Sequence, residues 1–279
     1  MILLLDRSRS VKSNEGCDRL SPSVTLGGYQ KGISMAEVFP KAPITEALIE
    51  IRAALPAGVT MADLERLHEQ IKTQYPEKKT RKRFEGRFEL RNEKEPFQIS
   101  QVQEDGYAFT SADGKQIVQF RLDGFTFNRL RPYSRWEDLY KEAKRTWEIY
   151  KNAINPLLVQ HIAVRYINSI EIPLKLFDYD DYFTAIPKIP RSLPQILAHF
   201  FTRVMIPFED HGAMATVIQT PSGRQDPVHT DILLDVEVVC ATSFAPEDER
   251  MWEAFGNLRN IKNDVFLSHI TERTKELFR

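Results

Sequence analysis

The order in which strand-like and helix-like runs follow one another constrains this chain more than any single motif does. A run of period two at residues 44–55 leads to a run of period 3.6 at 61–75, then to several short strand-like segments, then to a helical stripe at 136–154. The order starts again, more loosely, with a period-two run at 158–172. It continues through segments near 196–206, 213–219 and 232–240, and closes with a helical stripe at 251–270. In the first run Ala47, Ile49, Ile51, Ala53 and Leu55 fall on one side and Glu46, Glu50 and Arg52 on the other, as in a strand with one face buried. The 158–172 run puts Leu158, Ile162, Val164, Tyr166, Ile170 and Ile172 on one face and His161, Arg165 and Ser169 on the other, and its length suits the middle of a sheet. The expected fold is α+β: antiparallel sheets packed against long helices, in two related β-α-β-β-β-α halves of saddle or helix-grip type. The halves are residues 35–156 and 157–279, the second packed on the first and lacking a clear early helix.

Local chemistry supplies the punctuation. Thr60 is placed to cap the helix at 61–75, whose apolar face is Leu64, Leu67, Ile71 and Tyr75. Asp105-Gly106, Asp113-Gly114 and Asp123-Gly124 predict three tight turns of an antiparallel meander, to which an alternating run at 83–90 also belongs. Ser134 and Glu137 form a capping-box pattern before a stripe of Trp136, Leu139, Tyr140, Ala143, Trp147, Tyr150 and Ile154. Pro246 with Glu247, Asp248 and Glu249 predicts the start of the last helix, whose apolar line runs through Met251, Phe255, Leu258, Ile261 and Val265.

Residues 6–34 are rich in Ser, Gly and charge without either period, and are read as a disordered leader, with Met35 as the start of translation. The opening apolar run, Met1 to Leu5, is too short for a signal peptide or a span. With 38 basic and 39 acidic residues the net charge is −1, so no global field draws the protein to nucleic acid or anionic lipid. Cys17 and Cys240 lie too far apart in sequence to suggest a disulfide framework, and a cytoplasmic location is expected.

Four segments carry a family likeness: Pro43-Ile44 with Glu46 and Ile51-Arg52; Asn128-Arg129-Leu130 with Pro132-Tyr133 and Trp136; Arg165-Tyr166-Ile167-Asn168; and Leu258-Arg259 with Lys262, Phe266 and Ile270-Thr271. In this order they resemble a family of sporadically distributed, uncharacterised prokaryotic proteins. The resemblance implies a length close to that of residues 35–279 and an accessory or defence-related role. It implies no activity.

Candidate sites follow from residue chemistry. Asn128, Arg129, Arg131 and Tyr133 precede a helix N-terminus, where free amides favour anions, and with Arg165 and Asn168 they are the expected binding surface for a small anionic ligand or a protein partner. A buried Arg165 needs a carboxylate such as Glu46 or Glu50, or else an anionic ligand. His161 and Arg165, with Glu171 beyond them, could share a cavity as acid and base, although no nucleophile accompanies them. Asp178, Asp180 and Asp181 are the weak metal candidates and would serve a metal-dependent hydrolase or nuclease, while acidic residues at a helix start explain the same string through the helix dipole. The basic string Lys78, Lys79, Arg81, Lys82 and Arg83 lies in a stretch, residues 77–95, of eight basic and five acidic residues, net +3. It could grip a phosphate backbone in a nucleic-acid-binding module, or be a solvated strand face. Zinc spacings, phosphate loops and dinucleotide fingerprints are absent, so no cofactor is expected. The leading expectation is a non-catalytic binding protein, with a homodimer compatible with exposed strand edges.

Overall fold

The computed structural model describes residues 39–86, 99–173, 178–194, 197–222 and 228–279, without the side chains of 83–86 and 99–102. The expected leader and the second part of the alternating run at 83–90 lie outside them. Two compact units divide the chain: residues 36–81 with 105–279, and residues 1–35 with 82–104. Of the second unit, the described part is strand backbone at 82–86 and 99–104. Residues on both sides of position 156 belong to the larger unit.

The fold is α+β, built on one nine-stranded antiparallel sheet. Its strands are β1 (Ile44–Ala54), β2 (Glu77–Gly86), β3 (Ile99–Thr110), β4 (Gln116–Arg121), β5 (Gly124–Leu130), β6 (Leu158–Ile172), β7 (Thr202–Phe208), β8 (Ala213–Pro221) and β9 (Thr230–Cys240). They lie in the order β2-β3-β4-β5-β1-β6-β9-β8-β7. The long run at 158–172 is internal as expected, held between β1 and β9. The helices are α1 (Met61–Arg66), α2 (His68–Ile71), α3 (Trp136–Ile154), α4 (Arg250–His269) and α5 (Glu272–Glu276).

The alternation seen in the sequence separates two chemistries across the sheet. Ala47, Ile49 and Ile51 of β1, with Phe125 and Phe127 of β5, Ile162, Val164 and Tyr166 of β6, and Val236 and Val238 of β9, face one way into a single apolar core. Helix α3 packs on β5 and β1, and α4 on β6, β9 and β8, against that face. Trp147 of α3 stacks on Tyr150 and meets Phe125 edge-on with ring centroids 5.9 Å apart, all three rings being fully buried. Rings of this size remove large apolar areas from water and are the main anchors of the sheet to its helices. The opposite face carries Glu46, Glu50, Arg52, Gln119, Arg121, Asn128, His161, Arg165, Asp235 and Glu237, placed together by the strand register.

Several boundaries differ from expectation. Gly106 does not turn the chain: it sits inside β3 opposite Arg121, where a Cβ would collide with the Phe120 carbonyl oxygen. Glycine there serves close strand approach. Gly114, with φ of +69°, does lie in the turn between β3 and β4, whereas Gly124, with φ of +139°, opens β5 directly after the Leu122-Asp123 turn, paired with Arg121. The helix expected at 61–75 is broken at Leu67 into two short pieces, and Leu64, Leu67, Ile71 and Tyr75 nevertheless all reach the core. Ser134 does not cap α3, because its hydroxyl donates to Asp138 and Arg135 occupies the N-cap position without a side-chain cap. The last helix starts at Arg250 rather than at Pro246, after a turn in which Asp248 accepts from the Arg250 amide and guanidinium.

Candidate functional site

The expected binding residues are not brought to one place. Asn128 and Arg165 point from the polar face and are already satisfied. The Asn128 amide donates to Glu46 and its oxygen accepts from Gln119 at 3.1 Å, with Asn128 only 1 % exposed. Arg165 takes neither Glu46 nor Glu50 as its counter-ion. It grips Asp235 of β9 through Nε at 2.9 and 3.1 Å and Nη2 at 2.6 Å, a bidentate geometry that suits a guanidinium. Beside it Arg52 and Arg121 converge on Glu50 and Asp123. Burial by itself would raise the Glu50 carboxyl, but the two guanidinium groups outweigh it and hold it down at about 2. His161, opposite Arg52 in the register, has its pKa lowered by burial.

Asn168 lies on the helix-covered face, where its amide donates to the carbonyls of Leu234 and Tyr166. Arg131 is exposed and precedes Pro132 through a cis bond. Asp178 accepts from the Asp180 amide, Asp180 pairs with Lys188 at 2.9 Å, and Asp181 pairs with Arg273 at 2.7 Å. The three carboxylates thus have separate partners, and no group of three or more His, Cys, Asp or Glu among the described residues could hold a metal. In the basic string Lys78 pairs with Glu65 and Arg81 with Asp105.

Arg129 is different. Its position opposite Gln116 on β4 and Ala47 on β1 brings it to the helix-covered side at the end of β5. There it lines an open cleft of about 570 Å³ with Tyr75, Asp113, Gln116, Asp138, Lys141 and Glu142. Its Nε is buried and has no hydrogen-bond partner. The three cleft carboxylates, by contrast, are engaged: Asp113 with Ser111 and the Lys115 amide, Asp138 with Arg135 and Ser134, Glu142 with Arg145 and the Tyr75 hydroxyl. Burial and then Glu142 raise the Tyr75 pKa, so its hydroxyl stays protonated. Among the described residues Arg129 and Lys141 form no salt bridge in the cleft, although, after their own hydrogen bonds, the Arg129 charge helps to hold the Asp113 and Asp138 carboxyls down.

A second neighbourhood forms around Tyr133. Its hydroxyl is 2.9 Å from that of Tyr166, and the rings meet edge-on at 5.5 Å. Burial pushes Tyr133 up to about 12. The Lys262 ammonium of α4 lies 3.8 Å from the Tyr166 ring centroid and donates to Asn263 at 2.5 Å. Arg259, one turn earlier, stacks over Trp136 with 5.5 Å to the ring centroid. Lys262 is 7 % exposed, and burial followed by the nearby Arg259 charge brings its pKa down to about 7. Lys262 occupies the apolar line of α4 between Leu258 and Val265, and that break in the pattern is the sequence signal by which it could have been found. Lys141 and Gln116 had no such signal, since exposed polar residues on a helix or strand are ordinary.

No family model matches the chain, and no curated protein matches it.

Proposed function

We propose that the protein is a non-catalytic binding protein that takes a small anionic ligand in the cleft at the start of α3. The observation that carries this reading is the Arg129 guanidinium: it lines a cleft whose carboxylates have closer partners of their own, its buried Nε has no hydrogen-bond partner, and it forms no salt bridge among the described residues. A guanidinium in that position presents donors suited to a carboxylate or phosphoryl group. Gln116, Tyr75 and Thr73 add neutral polar groups around it, which favours a hydroxylated or otherwise polar anion. Lys141 adds the second positive charge.

The same reading takes the chain as a duplication and as a member of the uncharacterised family it resembles. Two features support the duplication: the first strand of each half lies beside the last strand of its meander, β1 with β5 and β6 with β9, and α3 and α4 cover the same face. The family reading is supported by the approach of Tyr133, Trp136, Tyr166, Arg259 and Lys262, from three of the four family-like segments, to one another. A cytoplasmic location belongs with it, and the buried free thiol of Cys240 suits a reducing compartment. None of the described helices is long and apolar enough to cross a membrane.

The test is calorimetric titration of the full chain with a panel of acidic sugars, carboxylates and nucleotides, repeated with Arg129→Gln. Saturable binding by one class, weakened roughly tenfold or more by Arg129→Gln, is the expected result. Binding indifferent to Arg129→Gln, or no binding across the panel, overturns the assignment of the cleft.

A further inference from the structure

We infer that Arg259 and Lys262, with the Tyr133 hydroxyl, form a second site, one that takes a phosphoryl group. The site is distinct from the Arg129 cleft in its residues and rests on different observations.

The argument starts from charge. Residues Arg259 and Lys262 are three apart on α4, so they project from the same face of the helix about one turn from each other. Neither has a carboxylate partner among the described residues. Lys262 has the Asn263 amide oxygen and the face of the Tyr166 ring, and Arg259 has the face of the Trp136 ring. A ring quadrupole and a neutral oxygen attract a cation but leave its charge uncompensated. Burying an ammonium group without a counter-ion is unfavourable by several kcal/mol in general, and a neighbouring positive charge makes it worse. The depressed Lys262 pKa is the consequence of both. A lysine whose role was packing alone would be better replaced by leucine or methionine, which fit the apolar line of α4 without this penalty.

The charge count then selects the ligand class. Arg259 is charged, and an anion beside Lys262 would favour its protonated form, so the two together match a dianion, which a phosphate monoester carries near neutral pH and a carboxylate does not. Tyr133 and Tyr166 share one hydrogen bond between their hydroxyls, which leaves one phenolic proton free to donate. The Tyr166 ring and hydroxyl bring Lys262 and Tyr133 into one region, and both Arg259 and Glu137 at the start of α3 act electrostatically on the two phenols there. Arg259 is half-buried, whereas Lys262 is buried. The aromatic groups Trp136 and Tyr166 that carry the two cations restrict water around them, which strengthens charge-assisted hydrogen bonds to the anion.

The experiment uses the full chain with Arg129→Gln as background, so that failure here and failure of the cleft remain separate. Inorganic phosphate and phenyl phosphate are titrated by ³¹P NMR and by thermal shift, with acetate at matched ionic strength as control. The expected result is saturable binding and stabilisation by both phosphates and none by acetate, with affinity falling roughly 10- to 100-fold in Arg259→Gln and in Lys262→Met. Lys262→Met is expected to fold at least as stably as its parent, since it keeps the methylene packing and removes a buried charge; Lys262→Arg, which keeps the charge, is the second variant. The inference is overturned if phosphate does not saturate, if acetate stabilises equally, or if either Arg259→Gln or Lys262→Met leaves phosphate affinity unchanged.

Discussion

Two clusters on opposite sides of the sheet treat positive charge in opposite ways. On the polar face Arg52, Arg121 and Arg165 each have a carboxylate within ion-pair distance, and Asp235 is gripped through both oxygens. On the helix-covered side, around the start of α3, Arg129, Arg259 and Lys262 have none among the described residues. Burial does not explain the difference, because Arg121 and Lys262 are almost equally hidden at 2 % and 7 % exposure. The contrast lies in counter-ions: where the chain supplies them the charges hold the sheet together, and where it does not they are available to a ligand.

The most damaging way to test the first half of this contrast is Arg121→Ala. It leaves Glu50 and Asp123 with a single guanidinium between them in a buried setting, and a loss of about 3–5 kcal/mol is expected in denaturant unfolding. Acid gives an independent measure. The Glu50 pKa is depressed in the folded state, from 4.5 to about 2, so its contribution is fully present above about pH 4.5 and is lost as pH falls through about 2. Arg121→Ala should flatten that limb of the stability–pH curve. If it does not, the network is ornamental.

Arg165→Gln is the next effect in size. It strands Asp235, 5 % exposed, but Arg165 itself is partly solvated, so a loss of about 2 kcal/mol is expected. The double substitution Arg165→Met with Asp235→Leu should recover most of it, since replacing both members of a buried pair is close to neutral. Failure to recover would mean that the pair also sets the register of β6 and β9.

The smallest expected effect is the most telling. Arg129→Gln should change unfolding free energy by no more than about 0.5 kcal/mol, because among the described residues the guanidinium has no salt bridge to lose and acts on Asp113 and Asp138 only through its charge. A loss near that of Arg165→Gln would show that Arg129 is structural and would erase the distinction between the two sides.

Much of the fold was legible because it depends on alternation. Ala47, Ile49 and Ile51 announce their face at period two, and Trp136, Leu139, Ala143, Trp147 and Tyr150 announce theirs at period 3.6, whatever the rest of the chain does. The candidate site was legible only in Arg129 and Tyr133. Asn128 and Arg129 are neighbours in sequence and part company in space because successive strand residues face opposite ways. Arg165 could not be matched to Asp235 from the sequence, since the two are 70 positions apart and meet through the β6–β9 register.

The sequence by itself determined the element types, the faces they bury and the internal position of the long β6, because solvent contact imposes those patterns residue by residue. It also determined a net charge close to zero. Only the tertiary structure decided which charges neutralise one another. Counter-ion pairing is a matter of a few ångströms between side chains from distant strands, and the register that sets those distances leaves no periodic trace along the chain.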